Sequence, residues 1–216
     1  MGNLDLITII IIAANVIISY KGFSDYAFFD AYKFNIGGVQ RGEKLRMFSS
    51  GFLHVDTQHL LFNMLTLYLF AGTVINYVEP LGFIIIYIVS LGAGSLLSLY
   101  FHKNEYHYNA VGASGAVTGV LYAAILLQPD MELKLLFKPI PIPAYLFGIG
   151  YLLYSIYGMK NQIGNIGHDA HFGGAVGGFI ATLILAPYLF QTNLLMIVLL
   201  VIPIVLLFIL KKAGKI

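Results

Sequence analysis

The run LLMIVLLVIPIVLLFIL at Leu194–Leu210 carries no charge, and six further apolar stretches precede it in the chain. In a bilayer every backbone N–H and C=O must find its partner inside the protein, so such a run folds as a helix. Composition agrees. Of 216 residues 59% are hydrophobic and 10% charged, against roughly 25% charged in soluble domains. The mean hydropathy of +0.84 argues against a soluble globular domain. The length suits one membrane domain of helices at about 20 residues per span. A net charge of +2 and the lack of a basic run interleaved with aromatics point away from nucleic acid. Cysteine is absent, which removes disulfides, thiolate catalysis and Cys-based zinc sites. Tryptophan is absent too, so interface anchoring falls to the 15 tyrosines.

The first run, Leu4–Tyr20, lacks a Lys/Arg leader and an A-x-A site, and reads as a retained helix rather than a signal peptide. Residues 21–53 form a long loop holding Lys21, Lys33, Arg41, Lys44 and Arg46, and its Gly37-Gly38 pair and aromatics suggest a folded, partly membrane-dipping segment. The second helix starts near Asp56-Thr57 and runs to about Val78; the third follows Pro80 and ends near Phe101. The fourth runs from Ala113 to Gln128, the fifth over Ile142–Tyr157, the sixth from His168 to about Ala186. A connection with proline at both ends (129–141) and a polar turn (160–167) lie between them. The fourth helix is short for a hydrocarbon core about 30 Å thick. Its serine end, Gly112-Ala113-Ser114-Gly115, therefore lies below the surface, in a polar or water-filled dent.

The polar residues of the apolar helices carry the chemistry. His59 and Asn63 are four apart and share a face; His54 precedes them by five. The sixth helix opens HDAHFGGAVGG, with His168 and His171 three apart and Gly174 and Gly178 four apart. Gly115 and Gly119 repeat that spacing in the fourth helix, and small residues four apart let helix backbones approach closely. If these faces oppose, Ser114 comes within reach of His171, with His168 a turn higher at the rim. A neutral imidazole can activate a serine hydroxyl, and Asn63, His59 and the Ser114 N–H are donors of the kind an oxyanion needs. Asp169 points to the other side of the helix and reads as a cap or solvated rim residue; His102 and His107 read as solvated loop residues. A rival reading makes His54, His59, His168 and His171 a metal or ion-transport site.

At this point the chain resembles the rhomboid family of intramembrane serine proteases over residues 1–190. The match rests on Gly112-Ala113-Ser114-Gly115 for GxSG, Ala170-His171-Phe172-Gly173-Gly174 for AHxxG, and His59-Leu60-Leu61-Phe62-Asn63 for HxxxN. Glu43-Lys44-Leu45-Arg46 stands for ExWR, without its tryptophan. The resemblance implies Ser114 as nucleophile, His171 as base, His59 and Asn63 as oxyanion site, and His54 as structural. Gly112, Gly115, Gly174, Gly178 and Arg46 fall into place as supporting residues. It implies an all-α polytopic membrane protein: a rhomboid-like six-helix core (1–190) and a seventh C-terminal transmembrane helix with a basic tail (191–216). No cofactor or metal is implied; the partners are transmembrane protein substrates and the bilayer, in a bacterial inner membrane. Substrate entry is expected between the second and fifth helices, where Gly148, Gly150, Tyr151 and Tyr154 permit movement. Four residues after the serine the family often has Tyr or Phe against the histidine. Here it is Thr118, so His171 needs another support, Tyr122 or the Thr118 hydroxyl being at hand. The other rhomboid-like alternative is a non-catalytic member; such relatives usually lack the serine or the histidine.

Orientation divides the two criteria. With a cytoplasmic N-terminus, only Lys134 and Lys138 face inward, and the positive-inside rule prefers the reverse. The family pattern, with an active site opening away from the cytoplasm, is followed here.

Overall fold

The computed structural model describes residues 5–134, 141–161, 163 and 167–216. Lys138 and residues 164–166 lie outside them, so the orientation argument from Lys138 and the middle of the second polar turn have no structural counterpart.

Helix α1 (Leu6–Ser24) starts at Asp5, whose carboxylate accepts the Ile7 N–H at 2.9 Å. It runs a turn beyond the expected Tyr20, where Lys21 pairs with Asp25 at 2.8 Å. Asp25 in turn caps α2 (Tyr26–Tyr32) by accepting the Phe28 N–H. The rest of the long loop is ordered too: β1 (Phe34–Asn35), α3 (Ile36–Gln40), α4 (Arg46–Ser49) and a 3-10 turn at Ser50–Phe52. Arg46 binds this loop together. Its Nη1 donates to the carbonyls of Asp30 and Lys33, and its Nε donates to Glu43. The hydrogen bonds from Arg46 and then Arg41 hold the Glu43 carboxyl below its ordinary value. Leu45, in the place of the family tryptophan, is 66% exposed and seats nothing.

Asp56 caps α5 (Thr57–Phe101), accepting the His59 N–H at 2.7 Å. Its helical path breaks at Glu79, just before Pro80, so α5 is two helices, as the sequence reading placed them. The chain reverses there, because His59 and Gly94 both end beside the start of the serine helix. Glu79 sits at φ 60°, ψ 167°, a region that glycine alone enters without strain. Glu79 is exposed, and Glu79→Gly is expected to raise stability by about 1 kcal/mol, read as a higher midpoint of thermal unfolding in detergent.

β2 (Asn109–Ala110) pairs antiparallel with β1 and ties the long loop to the approach of α6 (Ser114–Leu127). Every residue of α6 from Gly115 to Leu127 is buried. A helix apolar on all sides belongs at the centre. A two-stranded ladder, β3 (Glu132–Lys134) with β4 (Pro141–Pro143), spans the proline-flanked connection. Then come α7 (Ala144–Asn161), α8 (His168–Leu185), the short α9 (Leu189–Thr192) and α10 (Leu194–Lys212). Helix α6 is the one on which α5, α7 and α8 pack. Among the described residues three helices, α1, α5 and α10, are long and apolar enough to cross a membrane. The chain is an all-α polytopic membrane protein in which the small strand pairs serve only as loop ties. At its far end α10 is held to α5 by Lys211, whose ammonium lies 4.2 Å from the centre of the Phe101 ring.

Candidate active site

Four glycines bring α6 and α8 together. A Cβ at Gly115 would lie 3.2 Å from the Ala170 carbonyl oxygen; one at Gly174 would overlap the Gly115 carbonyl, and one at Gly178 the Gly119 carbonyl. Backbone thus meets backbone at two levels one turn apart, and the two helices run parallel with both N-termini at one end. Without a hydrophobic drive between helices in lipid, such close packing is what holds them. Gly119 faces the Ser90 side chain of α5 on its other side.

That geometry puts the first residue of α6 beside the first turn of α8. The Ser114 Oγ lies 2.6 Å from His171 Nε2. Both side chains are half-buried. The leading N–H groups of α6 have no partner one turn back, which leaves donors beside the serine.

Gly112 has φ 126°, open only to glycine, and a Cβ there would come 2.6 Å from His59 Cε1 and 2.9 Å from its Nε2. The His59 imidazole therefore lies directly over the turn that delivers Ser114. Asn63 is buried, and its amide donates to the His59 carbonyl at 3.0 Å, leaving one N–H unspent. His54 is fully buried and holds the turn from behind. Its Nε2 accepts the Ala113 N–H at 3.3 Å and its Nδ1–H donates to Ser19 Oγ at 2.8 Å, which donates on to the Phe52 carbonyl. Since a backbone N–H can only donate, these contacts fix the His54 tautomer. The sequence reading did not single out Ser19; nothing but a hydroxyl in an apolar helix announced it.

The support of His171 differs from expectation. The Thr118 hydroxyl turns back on its own helix and donates to the Ser114 carbonyl at 2.7 Å, and Tyr122 donates to the Gly148 carbonyl. Neither holds His171. Tyr151 of α7 does: its hydroxyl lies 2.6 Å from His171 Nδ1, with the two rings stacked at a 25° angle and centroids 6.0 Å apart.

Two residues read as rim groups are inside. His168 is 3% exposed, its ring packed into the space that Gly158 leaves open, and its Nε2 faces the Ile163 carbonyl at 3.2 Å. Asp169 is 4% exposed, with the Tyr108 hydroxyl 3.5 Å from Oδ1 and His102 Nε2 3.7 Å from Oδ2. His102 and Tyr108, from the connection after α5, cover Asp169 and α7 covers His168, which is why neither reaches solvent. With His54 committed to Ser19 and Ala113 and His168 to Ile163, the four histidines of the metal reading do not converge. Among the described residues no three His, Cys, Asp or Glu side chains group in the manner of a metal site.

His102 is likewise no free loop residue: it stacks on Tyr108 with centroids 3.7 Å apart. Burial lowers its pKa, but the hydrogen bond and charge of Asp169, and then Glu105, outweigh burial and raise it. The protonated ring therefore adds stability fully below the ordinary value of 6.5, and that contribution is lost as pH rises through the raised value. His102→Gln is expected to cost about 1 kcal/mol at acid pH, with the gap to wild type closing in alkaline buffer when thermal unfolding is followed across pH.

The Rhomboid domain family model matches residues 41–188, which contain all of these groups except Ser19. RHOMBOID-like protein 12, mitochondrial, of Arabidopsis thaliana is 26% identical over 84% of this chain and 58% of its own length. Rhomboid protein 1, mitochondrial, of Saccharomyces cerevisiae is 30% identical over 63% of this chain and 40% of its own. Rhomboid protease GluP of Bacillus subtilis is 31% identical over 66% of this chain and 26% of its own. The chain thus spans less than two thirds of the length of these curated relatives. Two of the three have mitochondrial names, so they lend no support to the expected bacterial inner membrane. With the family match extending over most of the sequence, the chain belongs to the rhomboid family.

Proposed function

We propose that this chain is an intramembrane serine endopeptidase that cuts transmembrane segments of membrane proteins, with Ser114 as nucleophile and His171 as base. The single observation that carries the reading is the 2.6 Å contact between Ser114 Oγ and His171 Nε2 at the mouth of a buried helix. It is a nucleophile and base within hydrogen-bond reach, with the base held in turn by a third group. The family and the protease named among its relatives support the same reaction class.

In this mechanism His171 Nε2 accepts the Ser114 proton as Oγ attacks the scissile carbonyl. The oxyanion forms beside the Ser114 N–H, the free N–H of Asn63 and the His59 ring, which are donors of the right kind. His171 then returns the proton to the leaving amine and the acyl-enzyme is released by water through the same steps in reverse. His54 and Gly112 act behind the nucleophile, keeping the turn at the depth where Oγ meets the base. Substrates are helices with small residues near the cut, since only an unwound segment offers its carbonyl to a recessed serine.

The test is cleavage of a reporter transmembrane segment in liposomes. Wild type is expected to release both fragments, and Ser114→Ala neither. Equal cleavage by Ser114→Ala would refute the assignment.

A further inference from the structure

We propose that Tyr151 is the positioning residue for His171, accepting its Nδ1–H and so fixing the tautomer in which Nε2 is free to take the Ser114 proton. The proposal rests on the Ser114–His171 dyad reading above.

The hydrogen-bond directions close only one way if His171 is to act as a base. For Nε2 to accept from Ser114 Oγ at 2.6 Å, the ring proton must sit on Nδ1, where the Tyr151 hydroxyl lies at 2.6 Å. Tyr151 Oη is then the acceptor. Thr118 is spent as a donor to the Ser114 carbonyl at 2.7 Å. The order of donation is Ser114 to His171 and His171 to Tyr151, while Thr118 donates to the Ser114 backbone. Asp169 takes no part, being directed at His102 and Tyr108.

Residue size makes the arrangement possible. Thr118 stands one helical turn after Ser114 on the same face, and a threonine there leaves room for the Tyr151 ring to stack on His171. Tyr151 is itself set by the seat of α7. A Cβ at Gly148 would lie 2.9 Å from Ile125 Cδ1, and Gly158 admits the His168 ring, so α7 is seated on both sides of Tyr151. The base is thereby oriented by a helix other than the one that carries it or the nucleophile.

Tyr151→Phe keeps the stacked ring and removes the acceptor. In that variant fluorophosphonate labelling of Ser114 is expected to slow about tenfold, the worth of one hydrogen bond. The half-saturating probe concentration is expected to move less than about twofold, since the loss falls on the reacting state. The 15N resonances of His171 are expected to change from a ring protonated at Nδ1 alone to a mixture of both neutral tautomers. Thr118→Tyr introduced into Tyr151→Ala offers a phenol one turn after Ser114 on the same helix face; labelling faster than in Tyr151→Ala alone would support the role. Wild-type labelling with an unchanged tautomer in Tyr151→Phe overturns the role of Tyr151 and leaves the dyad standing. An adduct that persists in Ser114→Ala overturns the dyad and this proposal with it.

Discussion

Ser114→Ala and His171→Ala are each expected to lower peptide-bond cleavage by at least about a thousandfold while leaving the fold intact. Members of such a unit fail together: without the base the hydroxyl is not activated, and without the hydroxyl the base has nothing to activate. The double variant should therefore be scarcely slower than either single one, because the residual rate comes from oxyanion donors and substrate binding that both variants keep. Neither side chain supports the helix contact, which is made by Gly115, Gly119, Gly174 and Gly178. Thermal unfolding of both variants should thus follow wild type within about 0.5 kcal/mol. A parallel loss of activity and stability would mean that the serine and histidine serve packing instead.

The second large effect separates those two roles from the opposite side. Gly174→Val puts its Cβ on the Gly115 carbonyl, and Gly178→Val on that of Gly119. The obstacle in each case is backbone, which no rotamer change can move. The two helices must part, at a cost of about 3 kcal/mol or more. Separation also draws His171 away from Ser114, so molecules that still fold should lose the 2.6 Å contact and with it labelling of the serine. Gly150 supplies the control. It lies in α7 with nothing within 4 Å of an added Cβ, so Gly150→Ala should be neutral or slightly stabilising. Thermal unfolding of the three variants in one detergent, with labelling measured on the soluble fraction, checks both parts.

What the sequence made legible follows from period and residue type. Glycines four apart in two helices, a serine and a histidine each placed just before such a pair, and Asp56 ahead of an apolar run are local patterns. Each sets a local geometry that the packing then uses. The break at Glu79-Pro80 was legible for the same reason, since proline cannot continue a hydrogen-bonded helix. Contacts set by the rotation of one helix against another were not legible. Tyr151 is separated from His171 by 20 positions, and nothing in the spacing says that α7 turns its phenol inward; only the small Thr118 hinted that support must come from elsewhere. His168 and Asp169 were misread for a related reason. The start of α8 looks like an emergence from the bilayer, but His102 and Tyr108 of the connection after α5 close on Asp169, and α7 takes in the His168 ring at Gly158. A short polar connection such as residues 102–109 reads as exposed until its contacts are known.

The central claim is that the Ser114 hydroxyl is activated by His171, and labelling purified protein in detergent with a fluorophosphonate followed by peptide mass mapping tests it most directly. The expected result is one phosphonyl adduct, on Ser114, absent from His171→Ala. Folded wild-type protein that takes up no probe, or takes it up at another serine such as Ser90 or Ser155, would contradict it.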